Sequence, residues 1–185
     1  FEIAENEIQF IEKENIKTFF ILDENYPKKL KYCNDAPILL YGKGNLDLNP
    51  SKLISIVGTR HATEYGKLIT ENLIADLAEY DVSIISGLAY GIDIAAHKSA
   101  LKHNLPTIGV LAHGLHTIYT AQHRSIAEKM QLKGGILTEY AFKTNADKGN
   151  FPKRNRIVAG MTDATIVVES AISGGALITA ELDRK

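Results

Sequence analysis

The stretch LISIVGTRHATEYGKLITENLIADLAEYDVSIISG, residues 53–87, contains the pattern from which the fold can be predicted. LISIVG is an apolar run of strand length that ends in glycine, and VSIISG repeats it at the end of the stretch. Thr63 is the predicted N-cap of a helix between these two runs, and Ile69, Leu73 and Leu77 are expected on one face of it. Two buried strands separated by a helix indicate a parallel pair joined by a crossover.

The same unit repeats further along the chain, in VSIISG before GIDIAAHKSALKH and in TIGVLAHG before AQHRSIAEKMQ. It recurs in GILTEY before a basic loop and a short helix, and in ATIVVES before GGALITAEL. Short apolar strands alternating with helices predict an α/β fold, a Rossmann-like, doubly wound and mostly parallel sheet over residues 51–185. Ligands of such sheets lie beyond the carboxyl ends of the strands, near the switch in strand order.

Residues 1–50 have a different pattern and are predicted to form an N-terminal extension packed on the core. ENEIQFIEKENI has the spacing of a short amphipathic helix, and KTFFIL is a predicted strand. The following segment, ENYPKKLKYCNDAPILLYGKGN, contains two prolines and two glycines and is expected to be irregular.

Composition limits the class of protein. A chain of 185 residues with 45% hydrophobic content can bury one good-sized core, and its apolar runs are too short for a membrane span or a cleavable signal. The single cysteine cannot form an internal disulfide. These features favour a cytoplasmic protein with no membrane partner.

The formal net charge of −1 hides a local asymmetry. Residues 1–15 hold five glutamates and one lysine, whereas residues 143–156 hold five cations and one aspartate. This pattern predicts one discrete basic surface rather than general attraction to anions.

The basic surface centres on DKGNFPKRNR, residues 147–156, in which Lys148, Arg154 and Arg156 surround Phe151. An aromatic ring among cations suits a partner that offers both phosphates and stackable bases, which is nucleic acid. Arg60 follows the predicted strand LISIV and is expected to point into the cleft at the carboxyl ends of the strands. There it would contact a phosphate or form a structural ion pair.

Glycines follow or lie close to several strand ends, each before a helix N-terminus. Such positions let the backbone approach a ligand, and the free N–H groups of the helix favour anions. A tight turn would need the same glycines without any ligand. The loops predicted to favour phosphate contain Gly58, Gly87, Gly91, Gly174 and Gly175.

The sequence contains little evidence for a catalytic or a metal-binding site. Asp93 and His97 lie four apart on a predicted helix, where their side chains would meet and either orient an imidazole or fasten the helix. His113 and His116 lack a third ligand at a suitable spacing. The sequence contains neither GxSxG nor GxxxxGK[ST]. We therefore expect no catalytic residue, no metal and no cofactor.

Taken together, IVGTR, SGLAYGIDIAAH, TIGVLAHG, GGILTEY, NFPKRNRIVAGM and ATIVVES occur in the order and spacing of the DprA/Smf family. The chain resembles these bacterial DNA-processing proteins of natural transformation from about residue 17 to residue 181. The resemblance implies a homodimer that binds single-stranded DNA, protects it and loads the recombinase RecA onto it, without enzymatic turnover.

Carried over by position, the resemblance implies DNA contacts at Arg60, Lys148 and Phe151, with Arg154 and Arg156 nearby. Arg156 would alternatively hold the basic loop to the sheet. The last loop reads Ser173-Gly174-Gly175-Ala176-Leu177 and lacks the cation and hydroxyl that the family commonly has there. The resemblance also implies that the family sequence continues past AELDRK, so the domain is predicted to be truncated.

Two alternatives remain open. Phosphoribohydrolases of the same superfamily use PGGxGTxxE, and SGGALITAE places Glu181 at the matching distance from Gly174. The proline and the Gly-Thr pair of that motif are missing. A module that binds a nucleotide second messenger would share the same phosphate-favouring loops.

Overall fold

A computed structural model describes residues 1–170 and 175–182 of the chain. Within these ranges the strands are β1 (Lys17–Phe20), β2 (Leu39–Gly44), β3 (Leu53–Val57), β4 (Ser83–Ser86), β5 (Thr107–Val110), β6 (Gly135–Thr138) and β7 (Ala164–Val167). The α-helices are α1 (Glu2–Lys13), α2 (Glu64–Leu77), α3 (Ile92–Lys102), α4 (Arg124–Met130), α5 (Asn150–Met161) and α6 (Gly175–Leu182). None of the helices in these ranges has both the length and the apolarity needed to cross a bilayer.

All the described strands form a single sheet in the order β1-β2-β6-β5-β4-β3-β7. The strands from β6 to β7 in this order are parallel, and β1 and β2 join as an antiparallel edge. The chain winds outward from β3 through β4, β5 and β6, and β7 then pairs on the other side of β3. The doubly wound, mostly parallel α/β fold is therefore confirmed, with its switch point between β3 and β7.

Helices cover both faces of the sheet. Ile84 and Ile85 are neighbours in β4 and enter different core clusters, because successive side chains of a strand point to opposite faces. Helix α5 packs on the face of Ile85, and helices α2 and α3 pack on the face of Ile84. The central strands β3 to β6 are thus buried on both sides, which explains their continuous apolar runs.

Helix α2 begins where the sequence predicts. Thr63 is its N-cap, and the Thr63 hydroxyl accepts a hydrogen bond of 3.0 Å from the Gly66 N–H. The predicted buried face is wrong at Ile69, which is exposed, whereas Thr70 and Ile74 are buried. Ile74 takes the central core position and leaves Ile69 on the solvent side.

The prediction of an irregular segment before residue 45 is wrong for β2. This strand pairs with both β1 and β6, so the N-terminal segment extends the sheet. Its glycines resemble turn signals in the sequence, but Gly42 is buried and closely packed. A Cβ atom there would lie 2.4 Å from Leu46 Cδ1 and 2.9 Å from Phe19 Cε2.

The predicted basic loop is also partly helical. Helix α5 begins at Asn150, so Phe151, Arg154 and Arg156 lie on a helix. Pro152 does not prevent this because the first-turn N–H groups of a helix have no partner within it. The side chains therefore project at helical spacing from a rigid element.

Candidate nucleic-acid interface

A cavity of about 490 Å³ opens at the carboxyl ends of β3 and β4, beside the switch in strand order. Its walls come from the segments that follow β3 and β4, the first turns of α5 and the start of α6. The structure brings four of the five predicted contact residues to this cavity, namely Arg60, Lys148, Phe151 and Arg154. Arg156 does not line it.

Arg60 and Phe151 form the exposed part of the site. The guanidinium carbon of Arg60 lies 4.8 Å from the centre of the Phe151 ring, which is cation–π distance. Phe151 is half-buried and its other neighbour is the Tyr119 ring, with 5.8 Å between the ring centres. A planar ring beside a cation is thus accessible from the cavity.

Lys148 lies in the turn that leads into α5, and its side chain is exposed. Among the side chains that the structure describes, neither Lys148 nor Arg60 forms an ion pair with a carboxylate. The structural ion pair considered for Arg60 is therefore not found among these side chains. Both cations are therefore available to an anion that enters the cavity.

Arg154 is buried, with 4% of its surface exposed, and its guanidinium donates to the carbonyl oxygens of Gly87 and Val110. The carboxylate of Asp93 faces it beside Gly87 and is also buried. Burial raises the pKa of Asp93, and the positive charge of Arg154 opposes this rise. Arg154 forms the floor of the cavity and ties α5 to the ends of β4 and β5.

The expected contact between Asp93 and His97 is not made, although both lie on α3. Asp93 instead accepts a hydrogen bond of 3.4 Å from the Ala89 N–H, and His97 Nδ1 lies 2.8 Å from the Thr107 hydroxyl. Burial lowers the pKa of His97 to about 3, so the imidazole is neutral at ordinary pH. Asp93 thus bonds to the loop before α3, and His97 bonds to β5.

Arg156 points away from the cavity. One of its nitrogens lies 2.5 Å from Glu139 Oε2 and another lies 3.4 Å from Asp35 Oδ2. Glu139 follows β6, and Asp35 belongs to the segment before β2. This arrangement favours the second of the two predicted roles, in which Arg156 holds the basic loop to the sheet, and it also connects α5 with the segment before β2.

Close packing accounts for the glycines that precede α3. A Cβ atom on Gly87 would lie 2.5 Å from both Arg154 Nη2 and Asp93 Oδ2. Gly91 has a φ of +77°, and a Cβ atom there would clash with the Thr59 carbonyl oxygen, so a side chain would not fit. Gly58 packs on Ile92, and Gly175 faces open space. Gly174 lies outside the described residues.

The N-terminus of α2 already holds an anion from the protein itself. The Glu169 carboxylate, which follows β7, accepts hydrogen bonds of 3.0 Å from the Thr63 N–H and 3.2 Å from the Thr63 hydroxyl. An acidic side chain at this position is stabilised by the positive end of the helix dipole. Glu169 therefore occupies the polar groups of Thr63 at the start of α2. In the loop after β3, Arg60 stays the predicted phosphate contact.

Two residues of the site were not predicted from the sequence, Tyr119 and His113. Tyr119 lines the cavity beside Phe151, and His113 Nε2 accepts a hydrogen bond of 3.2 Å from the Tyr119 N–H. Both residues follow β5, and this position could have indicated them. Aromatic side chains that follow a parallel strand lie near its carboxyl end, where ligands of such sheets bind.

In the part of the chain that the structure describes, no three histidine, cysteine or acidic side chains are grouped so as to hold a metal ion. Ser173 lies outside this part, and the side chain of Glu181, the residue matched to the hydrolase motif, is not described either.

The chain is similar to a known protein family and to several curated proteins. The family model for DNA recombination-mediator protein A matches residues 17–184. Protein Smf of Synechocystis sp. is 40% identical over 183 residues, which are 95% of this chain and 46% of that protein. The chain spans about half the length of the curated relatives it matches.

Two solved structures share the fold. DNA processing protein A of Streptococcus pneumoniae has a TM-score of 0.88 at 37% identity, over 96% of this chain and 63% of that chain. DNA processing protein A of Helicobacter pylori, studied for its single-stranded DNA binding mode, has a TM-score of 0.81 at 32% identity. That match covers 90% of this chain and 75% of that chain.

Proposed function

Because the chain belongs to the DNA recombination-mediator protein A family, as its motifs indicated, we propose that it binds single-stranded DNA in the cavity beside β3 and β4. One observation supports this most directly. Arg60 and Lys148, without ion-pair partners among the described residues, flank an accessible aromatic ring, Phe151. Cations beside a stacking ring match the backbone and the bases of an unpaired strand.

In this proposal Arg60 and Lys148 contact phosphates, and Phe151 stacks on a base. Arg154 lines the same cavity, so its charge adds to the attraction for a phosphate although its guanidinium is bound to two carbonyl groups. Arg156 contributes indirectly by holding α5 in place. The open space at Gly175 leaves room for the strand to leave the cavity over the start of α6.

Competition between single-stranded and duplex DNA tests this proposal. A labelled oligonucleotide is bound at fixed salt and displaced by unlabelled single strand or by unlabelled duplex. We expect the single strand to compete more strongly per nucleotide, because the bases of a duplex are stacked on each other and a groove reader would need a recognition helix. Equal competition would indicate a generic basic surface.

We also propose the further activities that the resemblance implies, namely protection of incoming DNA, loading of RecA and action as a cytoplasmic homodimer. RecA loading is tested by following RecA assembly on single strands coated by a single-strand-binding protein, with and without this protein. Faster assembly is expected. Sedimentation at several concentrations tests the dimer.

The hydrolase alternative is tested on the same preparation. Nucleoside monophosphates are incubated with the protein and the free base is measured. We expect no release above the level of a Glu181→Gln variant. Release that depends on Glu181, together with no oligonucleotide binding, would replace the DNA proposal by the enzymatic one.

A further inference from the structure

A second, smaller cavity of about 120 Å³ lies beside the first. Arg60, Ala89, Tyr119 and Phe151 belong to the walls of both cavities. Arg154 also lines both, and the remaining walls of the smaller one combine apolar and aromatic side chains, among them Leu88, Tyr90 and Leu111, with the polar His113 and Thr120. A strand held on Phe151 would therefore find an adjacent space with the character of a base-binding pocket.

The ring of Tyr119 stands at the boundary between the two cavities. Its centre is 5.8 Å from that of Phe151, with 54° between the ring planes, and 54% of its surface is exposed. An exposed ring and a half-buried ring at this separation present neighbouring faces in different directions. They can hold two bases only if those bases are unstacked from each other.

The backbone of Tyr119 is firmly held although its ring is exposed. His113 Nε2 accepts the Tyr119 N–H, and His113 Nδ1 lies 2.9 Å from the Gly114 carbonyl, to which it donates. His113 has only 2% of its surface exposed. The ring is thus presented from a fixed position, which reduces the entropy lost when a base stacks on it.

Many polar groups that line the smaller cavity are already hydrogen-bonded. Both ring nitrogens of His113 are used, the Gly87 carbonyl accepts from Arg154, and the Leu88 carbonyl lies 3.0 Å from His123 Nδ1. Reading the identity of a base requires free donors or acceptors at its edge. The faces of a base would therefore supply most of its contacts in this cavity.

We propose that Tyr119 provides a second stacking position, for the nucleotide next to the one on Phe151, and that the smaller cavity takes one unpaired base without selecting its identity. This inference rests on the proposed binding of single-stranded DNA. His113 acts as a positioning residue for Tyr119.

The test uses oligothymidylates that carry one fluorescent 2-aminopurine at successive positions, bound to the full chain. We expect quenching at two adjacent positions with the unchanged protein. Tyr119→Ala should remove the quenching at one of them and lower the affinity by about 5- to 150-fold, whereas Phe151→Ala should remove it at the other. Tyr119→Phe should keep both signals, and Tyr119→Leu should not. Replacing the neighbouring thymine by cytosine or adenine should leave the effect of Tyr119→Ala unchanged.

Tyr80→Ala is the matched control, because Tyr80 is also an exposed tyrosine but follows α2 near the amino end of β4. Its affinity should equal that of the unchanged protein. If the unchanged protein binds no oligonucleotide, the proposed function itself fails. If it binds and Phe151→Ala weakens binding, while Tyr119→Ala changes neither affinity nor quenching, only the second stacking position is overturned. Restoration by leucine would overturn stacking, and a strong base preference would overturn the lack of selection.

Discussion

The guanidinium of Arg60 lies over the ring of Phe151, so two residues predicted to contact DNA already contact each other. A cation–π contact at an exposed site contributes about 0.5 to 1 kcal/mol, whereas stacking of a base contributes about 1 to 3 kcal/mol. An incoming base can therefore displace the guanidinium from the ring. Arg60 is then free to contact the phosphate of the same nucleotide.

Neutralising Arg60 or Lys148 should weaken binding to all single strands alike. With Arg60→Gln or Lys148→Gln, we expect the slope of log affinity against log salt to become shallower by about 0.7 for each phosphate that is no longer neutralised. Titrations at several salt concentrations measure this slope. Lys133→Gln is the control, because Lys133 is exposed near the amino ends of the parallel strands, just before β6, whereas the cavity lies at their carboxyl ends. Unchanged slopes for Arg60→Gln and Lys148→Gln would remove both residues from the DNA surface.

Substitutions of Phe151 separate stacking from core packing. Phe151 is only half-buried, so Phe151→Ala should leave the melting temperature nearly unchanged and lower single-strand affinity by about 1 to 3 kcal/mol. Tyrosine should restore binding and leucine should not. A core residue would behave differently, with a stability loss of about 3 to 5 kcal/mol for alanine that leucine largely recovers. Thermal melts and oligonucleotide titrations on the three variants decide between these outcomes.

Arg154 and Asp93 should depend on each other for stability. Arg154→Met removes the positive charge that opposes the burial-raised pKa of Asp93 and leaves two carbonyl oxygens without their donor, which should cost about 1 to 3 kcal/mol at neutral pH. The pKa of Asp93 is already raised by burial, and removing Arg154 raises it further. A raised carboxyl pKa means that the folded chain binds the proton more tightly than the unfolded chain. The cost should therefore shrink as the pH falls.

Urea unfolding of this variant at neutral and acidic pH measures that change. The double variant Arg154→Met, Asp93→Asn should recover much of the stability at neutral pH, because no charge remains buried. An equal destabilisation at both pH values, without recovery in the double variant, would show that packing rather than charge controls the effect.

His97 should make the fold sensitive to acid. Its pKa in the folded chain is lowered to about 3 by burial, compared with about 6.5 when unfolded. The unfolded chain therefore takes up the proton first, and the contribution present above about pH 6.5 is lost as the pH falls toward about 3. His97→Leu should flatten the stability between pH 7 and pH 4, taking these as rough limits of that window. Denaturant unfolding across this range measures it.

His61→Leu is the control for the acid response, because the His61 side chain is exposed. It should leave the pH dependence of the unfolding free energy close to that of the unchanged protein. A His97→Leu protein as acid-sensitive as the unchanged one would assign the response to other groups.

The parallel strands could be predicted because burial on both faces makes them continuous apolar runs. The same rule fails for β2, whose Gly42 and Gly44 resemble turn residues although Gly42 serves close packing. Helix α5 was missed at its start for a related reason. Pro152 indicates a break in most contexts but is compatible with the first turn of a helix.

The candidate site could be predicted in part. Arg60, Lys148 and Phe151 come together because segments after parallel strands share one edge of the sheet. The burial of Arg154 could not be predicted, because arginine is mostly exposed and its acceptors on Gly87 and Val110 are distant in sequence. Helical spacing indicated a pair of Asp93 and His97, but Asp93 accepts from the loop before α3 and His97 bonds to Thr107 of β5.

The place of β2 between β1 and β6 has a consequence for how the polypeptide is made. Strands β1 and β2 leave the ribosome before β6 and can pair with each other at once, but one edge of β2 stays open until residues 135–138 of β6 have been synthesised. An open edge is a template for pairing with the wrong chain, and long-range pairing is slow. During translation, the nascent chain is therefore most exposed to misassembly before β6 emerges, and a binding partner or chaperone that covers β2 would act in that interval.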